Sequence, residues 1–124
     1  MVKQKTVGQY LCGHEYMELV LRPGTGGEYY CSPEKGHIPR MKIGADQECW
    51  QDVVEVVLHE VMEFQIDRHN CRFEPMHFQS RDQHASMMVM SHHVFSDCCA
   101  KAAEFLVESH NDLLKAWKAW GKKK

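Results

Sequence analysis

A chain of 124 residues, 44% hydrophobic and 26% charged, has room for one hydrophobic core and too little for two. Its formal net charge of −2 leaves no global basic field, so no specific nucleic-acid partner is expected. No run approaches the ~18–20 apolar residues of a membrane span. The opening Met-Val-Lys-Gln-Lys-Thr-Val lacks the apolar segment of a signal peptide, so a cytoplasmic protein is expected.

In chain order, residues 5–11 read as a short strand or a frayed arm. Glu15 to Arg22 reads as a strand, because Tyr16, Leu19, Val20 and Leu21 favour extended backbone. Pro23-Gly24-Thr25-Gly26-Gly27 is a turn, and no Gly-Lys-Ser/Thr follows to make it a phosphate loop. A hairpin is predicted, with Glu28–Cys31 as the returning strand. His37 to Ile43 is a further strand, which Pro39 confines to a sheet edge or to the residues after it. Asp46 is a good N-cap for a helix from about Gln47 to Arg68, with Asn70 as its stop. Trp50, Val54, Val57, Val61 and Phe64 mark its core face.

Residues 72–83 read as a loop and Ala85 to Met90 as a buried strand. Ser91 then caps a second helix, His92 to His110, with Val94, Phe95, Cys98, Ala102, Phe105 and Leu106 on its buried side. Ser109-His110-Asn111-Asp112 reads as a break. Residues 111–124 become a helical extension and basic tail on a single domain covering 1–124. The order predicts an α+β fold, a small antiparallel or mixed sheet packed on two long helices.

The chemistry-bearing stretch lies in the first helix. His59 and Glu63 are four residues apart and leave one helix face a turn apart, a spacing that lets both reach one metal ion. Glu60 lies roughly 100° further round the axis, where it suits either a group supporting the ligands from behind or a general base beside the metal, rather than a ligand. The pattern is His-Glu-x-x-His with Glu in place of the second His. Carboxylates among Val57, Leu58, Val61, Met62 and Phe64 need a partner or a metal if buried. A catalytic zinc takes three protein ligands, so a third must come from elsewhere. His92, where a strand gives way to a helix, is the first choice, with His93 and His84 as competitors. Such a site would make hydroxide available near neutral pH, with Glu60 taking and passing on its proton. The strand His37–Ile43 is the candidate edge for pairing an extended peptide.

The run Ile38-Pro39-Arg40-Met41-Lys42-Ile43-Gly44, followed by the helix carrying Leu58-His59-Glu60-Val61-Met62-Glu63, resembles the strand-then-helix core of minimal zincin-type metallopeptidases. Over about residues 38–106 the chain is similar, more narrowly, to small phage and prophage proteins with a His-Glu-x-x-Glu helix. In those, a later strand leads to a His and an aromatic at the next helix start, here Met90-Ser91-His92-His93-Val94-Phe95. The resemblance implies a zinc-type peptidase: His59, Glu63 and His92 on Zn2+ or another divalent metal, Glu60 as base, and a peptide or protein substrate. For a phage-encoded chain, the place of action is the host cytoplasm. The departure at Glu63 makes the site harder and more anionic, and opens it to other divalent metals.

Three other readings compete. Cys12, His14, Cys31 and His37 form a Cys₂His₂ set across the hairpin, suited to structural zinc but matching no standard finger. A non-enzymatic phage-type protein that binds or inhibits a host factor would use Trp117 and Trp120 as anchors and keep a structural or vestigial metal. Cys98 or Cys99 beside His92 or His93 would make a nucleophile if its pKa were lowered.

Overall fold

The computed structural model describes residues 3–31, 38–73 and 87–121. Strand β1 (Lys5–Cys12) pairs antiparallel with β2 (Glu15–Arg22) through a tight turn at Gly13-His14, where Gly13 takes a φ of 73°. β3 (Gly27–Tyr30) does not return along β2. β4 (Arg40–Gly44) is inserted between them, parallel to β2 and antiparallel to β3, in the order β1-β2-β4-β3. The predicted hairpin of β2 and β3 is therefore not formed. The glycine turn instead wraps the end of β4. Gly44 N–H donates to the Gly26 carbonyl at 2.7 Å, and Ala45 N–H to that of Arg22 at 2.7 Å. Gly44 must be glycine for this, since a Cβ there would run into the Gly24 carbonyl and the Thr25 backbone. β4 is likewise not an edge: both of its sides are paired, so it has no room for a peptide.

Helix α1 (Trp50–Arg68) starts later than its sequence signal. Cys49 holds the N-cap position in extended backbone without a side-chain cap, and Asp46 instead accepts the Gly24 N–H. Val53, Val57, Val61 and Phe64 face the core at zero exposure, with Val53 taking the place expected of Val54. They meet Met17, Leu19 and Leu21 from β2 and Met41 and Ile43 from β4. On the other face of the sheet, Arg22 binds Glu28 at 2.6 and 2.7 Å, and Arg40 binds Glu18 at 2.8 Å. One face packed and one solvated is the alternation of an antiparallel or mixed sheet.

The two-residue strands β5 (Arg72–Phe73) and β6 (Met87–Met88) form a ribbon of their own. The expected buried strand at 85–90 is not one where it is described. Met88 and Val89 are 42% and 58% exposed, because pairing with β5 takes this run away from the main sheet and its core.

Helix α2 (His92–Gly121) runs unbroken for 30 residues, and Ser91 Oγ accepts the Val94 N–H at 3.3 Å as its cap. No break occurs at 109–112, because the polar residues there are satisfied. Ser109 Oγ donates to the Phe105 carbonyl at 2.7 Å, and Asp112 accepts the Tyr10 hydroxyl at 2.7 Å. Cys98, Ala102, Phe105, Ser109, Leu113, Ala116 and Trp120 make one buried stripe, so residues 111–121 belong to the same rod. Phe95, expected inside, is 48% exposed. Trp117 donates to the Ala45 carbonyl at 3.1 Å and packs against Trp50, so both C-terminal tryptophans dock on the body. α2 lies over β1, α1 lies over β3 and β4, and the helices pack on each other. The result is an α+β domain, a four-stranded mixed sheet with two long helices on one face. Among the described residues no helix is long and apolar enough to cross a membrane.

Candidate metal centre

Packing the valine face of α1 onto the sheet turns Glu55, His59 and Glu63 outward in a row at i, i+4, i+8. His59 is well exposed, Glu63 is partly covered, and Glu60 is only 6% exposed. The His59 imidazole, the Glu60 carboxylate and the Glu63 carboxylate bring one donor atom each to within 4.8 Å of one another. His59 Nε2 and Glu63 Oε1 are 3.3 Å apart. That is long for a hydrogen bond. It matches the ~3.3 Å that separates two donors each about 2.0–2.1 Å from one tetrahedral ion. One imidazole with carboxylates suits zinc and harder divalent metals.

Gly27 of β3 is what lets the edge strand lie on this part of α1. A Cβ there would meet Val56 Cγ1 at 2.8 Å, Glu60 Cγ at 3.1 Å and Ile43 Cδ1 at 3.1 Å. The strand thus covers the stem of Glu60 and leaves a cleft of about 340 Å³ lined by Gly26, Gly27, Glu55, Val56, His59 and Glu60. On the other side of His59 is a second cleft, about 350 Å³, lined by Glu55, Leu58, His59, Met62, Glu63, Ile66 and Met88. Glu55 and His59 form the ridge between a polar cleft and an apolar one.

The sequence-predicted residues separate into two groups. His59, Glu60 and Glu63 are brought together. His92, in the first turn of α2, is exposed, has its Nε2 3.5 Å from Ser96 Oγ, and is not in the cluster; His93 is also exposed. His84 lies outside the described residues. Glu55 and Met88 are lining residues that the sequence reading did not single out. For Glu55 the signal was present, one turn before His59.

The rival sites fare differently. Cys12 is buried, accepts from Gln65 Nε2 at 3.4 Å, and has its thiol pushed up to about 11, mainly by burial. Cys31 donates to Asp67 at 3.8 Å and His14 is exposed. Cys12, His14 and Cys31 form no metal-ligand group among the described residues, and His37 lies outside them. Burial raises the Cys98 thiol as well, the opposite of what a nucleophile requires. A pit beside Cys12 holds the pairs His69–Asp97 at 3.0 Å and Arg68–Glu15 at 2.9 Å. The first ties α1 to α2 and the second ties α1 to the sheet, and the raised Cys12 thiol gives that pit no nucleophile.

Comparison of the chain with protein-family models, with curated proteins and with solved structures finds no match in any of the three.

Proposed function

We propose that this chain is a metal-dependent hydrolase, a zinc-type peptidase acting on a peptide or protein. His59 and Glu63 would hold the divalent cation and Glu60 is the general base; His92, the third donor expected from the sequence, lies outside the cluster and would join it only by leaving Ser96. The observation that carries the reading is the convergence of one imidazole and two carboxylates at the ridge between two clefts. A bound ion supplies Lewis acidity, which makes hydroxide available near neutral pH and polarises a carbonyl. Glu60, held under the edge strand, accepts a proton at its carboxylate and returns it to the leaving amine. β3 takes the role first expected of β4: it is the strand at the sheet edge next to His59, and an extended peptide adds to it by main-chain hydrogen bonds.

Elemental analysis of the purified protein tests the first step, with one divalent metal per chain expected. Glu60→Gln keeps the metal and removes peptide hydrolysis. His59→Ala and Glu63→Ala each release the metal, and His92→Ala weakens its binding by about tenfold or more. An unchanged affinity in His92→Ala transfers the third position to Glu60. A metal-free protein, or one in which Glu60→Gln hydrolyses peptides at the parent rate, refutes the reading. A second reading, a non-enzymatic binding protein, draws on exposed Met88, Val89 and Phe95 rather than on the docked tryptophans. In that case Glu60→Gln leaves partner binding intact.

A further inference from the structure

The apolar cleft beside His59 has a lining that selects its occupant. Leu58, Met62, Ile66 and Met88 line it with apolar side chains, together with Glu55, His59 and Glu63. Leu58 is 41% and Met88 42% exposed, an apolar surface left open to water next to carboxylates. Among the described residues no Lys or Arg lines this cleft or the polar one across the ridge, whereas Glu55, Glu60 and Glu63 do. A divalent cation on His59 and Glu63 still leaves three carboxylates against two positive charges, so the lining stays anionic with or without metal. Its charge complement is a cation, and the complement of its apolar part is a large apolar side chain.

We infer that the cleft binds the N-terminal residue of a peptide. A large apolar side chain seats between Leu58, Met62, Ile66 and Met88, and the α-ammonium faces Glu55 and Glu63. Two unbranched thioethers in the lining adapt to leucine, methionine or phenylalanine without requiring one shape. A free amino acid fits worse than a peptide, because its α-carboxylate meets the same carboxylates. On the hydrolase reading, on which this consequence alone rests, the activity becomes that of an aminopeptidase. Water adds across the first peptide bond, the hydroxyl to the acyl carbon and the proton to the leaving amine. A free apolar amino acid and a shortened peptide are released.

The test is binding by the full chain, after chelator treatment and again with zinc, of leucinamide, N-acetyl-leucinamide, glycinamide and free leucine, followed by NMR titration. Leucinamide binds, and acetylation and loss of the side chain each weaken it by roughly tenfold or more. Free leucine falls below leucinamide. Glu55→Gln removes most of the discrimination against acetylation. Leu58→Lys, at an exposed helix position and checked by its thermal melt, abolishes binding. Equal binding of the acetylated amide or of glycinamide, or no binding of leucinamide, overturns the inference. Discrimination that persists in a protein retaining no metal refutes the hydrolase alone. A zinc-loaded protein that cleaves acetylated peptides as fast as free ones refutes this inference alone.

Discussion

Gly27→Ala tests the arrangement that brings the sheet edge onto the candidate site. Gly27 has an ordinary backbone conformation, so alanine meets no strain of its own and limits the unfolded chain. That effect alone stabilises by about 0.4–1 kcal/mol. Against it stands the space. The new methyl falls 2.8 Å from Val56 Cγ1 and 3.1 Å from both Ile43 Cδ1 and Glu60 Cγ. Val56 is stiff at its β-branch and Ile43 is at zero exposure, so neither gives easily; overpacking of this kind costs about 1–3 kcal/mol. The net expectation is a loss of about 1–2 kcal/mol, which for a chain of this size lowers the melting temperature by about 5 °C. Glu60 is the most flexible of the three neighbours and takes up the displacement, so divalent-metal affinity or hydrolysis falls further than stability does. Thermal melts beside a metal titration measure both. A melting temperature unchanged or raised would show that β3 does not press on α1 here.

Other changes follow from the same packing. Cys12 has an ordinary value of 9.0 and is held at about 11 in the fold, so folding favours the protonated thiol. The stability it confers, about 3 kcal/mol, is full below about pH 9 and is lost as pH rises to about 11. Urea unfolding between pH 8 and 11 should show the fall, and Cys12→Ala should reduce it, leaving the part due to Cys31 and Cys98, which burial also raises. Leu113→Ala, at 1% exposure beyond the expected break, costs about 2–5 kcal/mol by denaturant unfolding. A cost below about 1 kcal/mol would mean that the end of α2 docks loosely. Trp117→Phe removes the bond to the Ala45 carbonyl and costs about 1 kcal/mol in the same assay, where no change refutes the contact's importance. Arg22→Gln takes a cation out of the field of Glu60, so metal affinity at low salt rises about threefold and the gain disappears in high salt; a fall refutes it.

What the sequence made legible was local. The apolar repeat of α1 and the one-turn spacing of His59 and Glu63 depend on residues within a few positions of each other, and both are found. The Ser91 cap is local too. The strand order is not. The glycines at 24, 26 and 27 gave a correct turn signal, but whether β3 folds back on β2 or across β4 depends on Gly44, which lets the turn backbone approach. The polar cluster at 109–112 carried a correct local preference for a break, overridden because Tyr10, 102 residues away in sequence, supplies a partner for Asp112. His92 shows the same limit in the site. Its place at a helix start was readable, and so was Ser96 one turn on in the same helix, but whether it reaches α1 depends on how the two helices pack, and it lies outside the cluster.

The candidate site depends on an asymmetry that one helix alone does not possess. Glu55, His59, Glu60 and Glu63 on an isolated α1 would be a solvated polar face, of a kind common on helices. The sheet breaks that equivalence. β3 lies across Glu60 because residue 27 has no side chain, while the β5–β6 ribbon brings Met88 to the opposite flank. Glu60 is thereby drawn out of water while His59, on the adjacent position, stays open to it. A carboxylate held close to an open imidazole–carboxylate pair, with glycine backbone on one side and thioether on the other, costs more to maintain than a solvated helix face. Arg22, raised in pKa first by its bond to Glu28 and in lesser part by Glu60, offsets some of that charge and is already committed to Glu28. The remaining negative potential on the ridge is what a divalent cation, or the ammonium of an incoming chain, would neutralise.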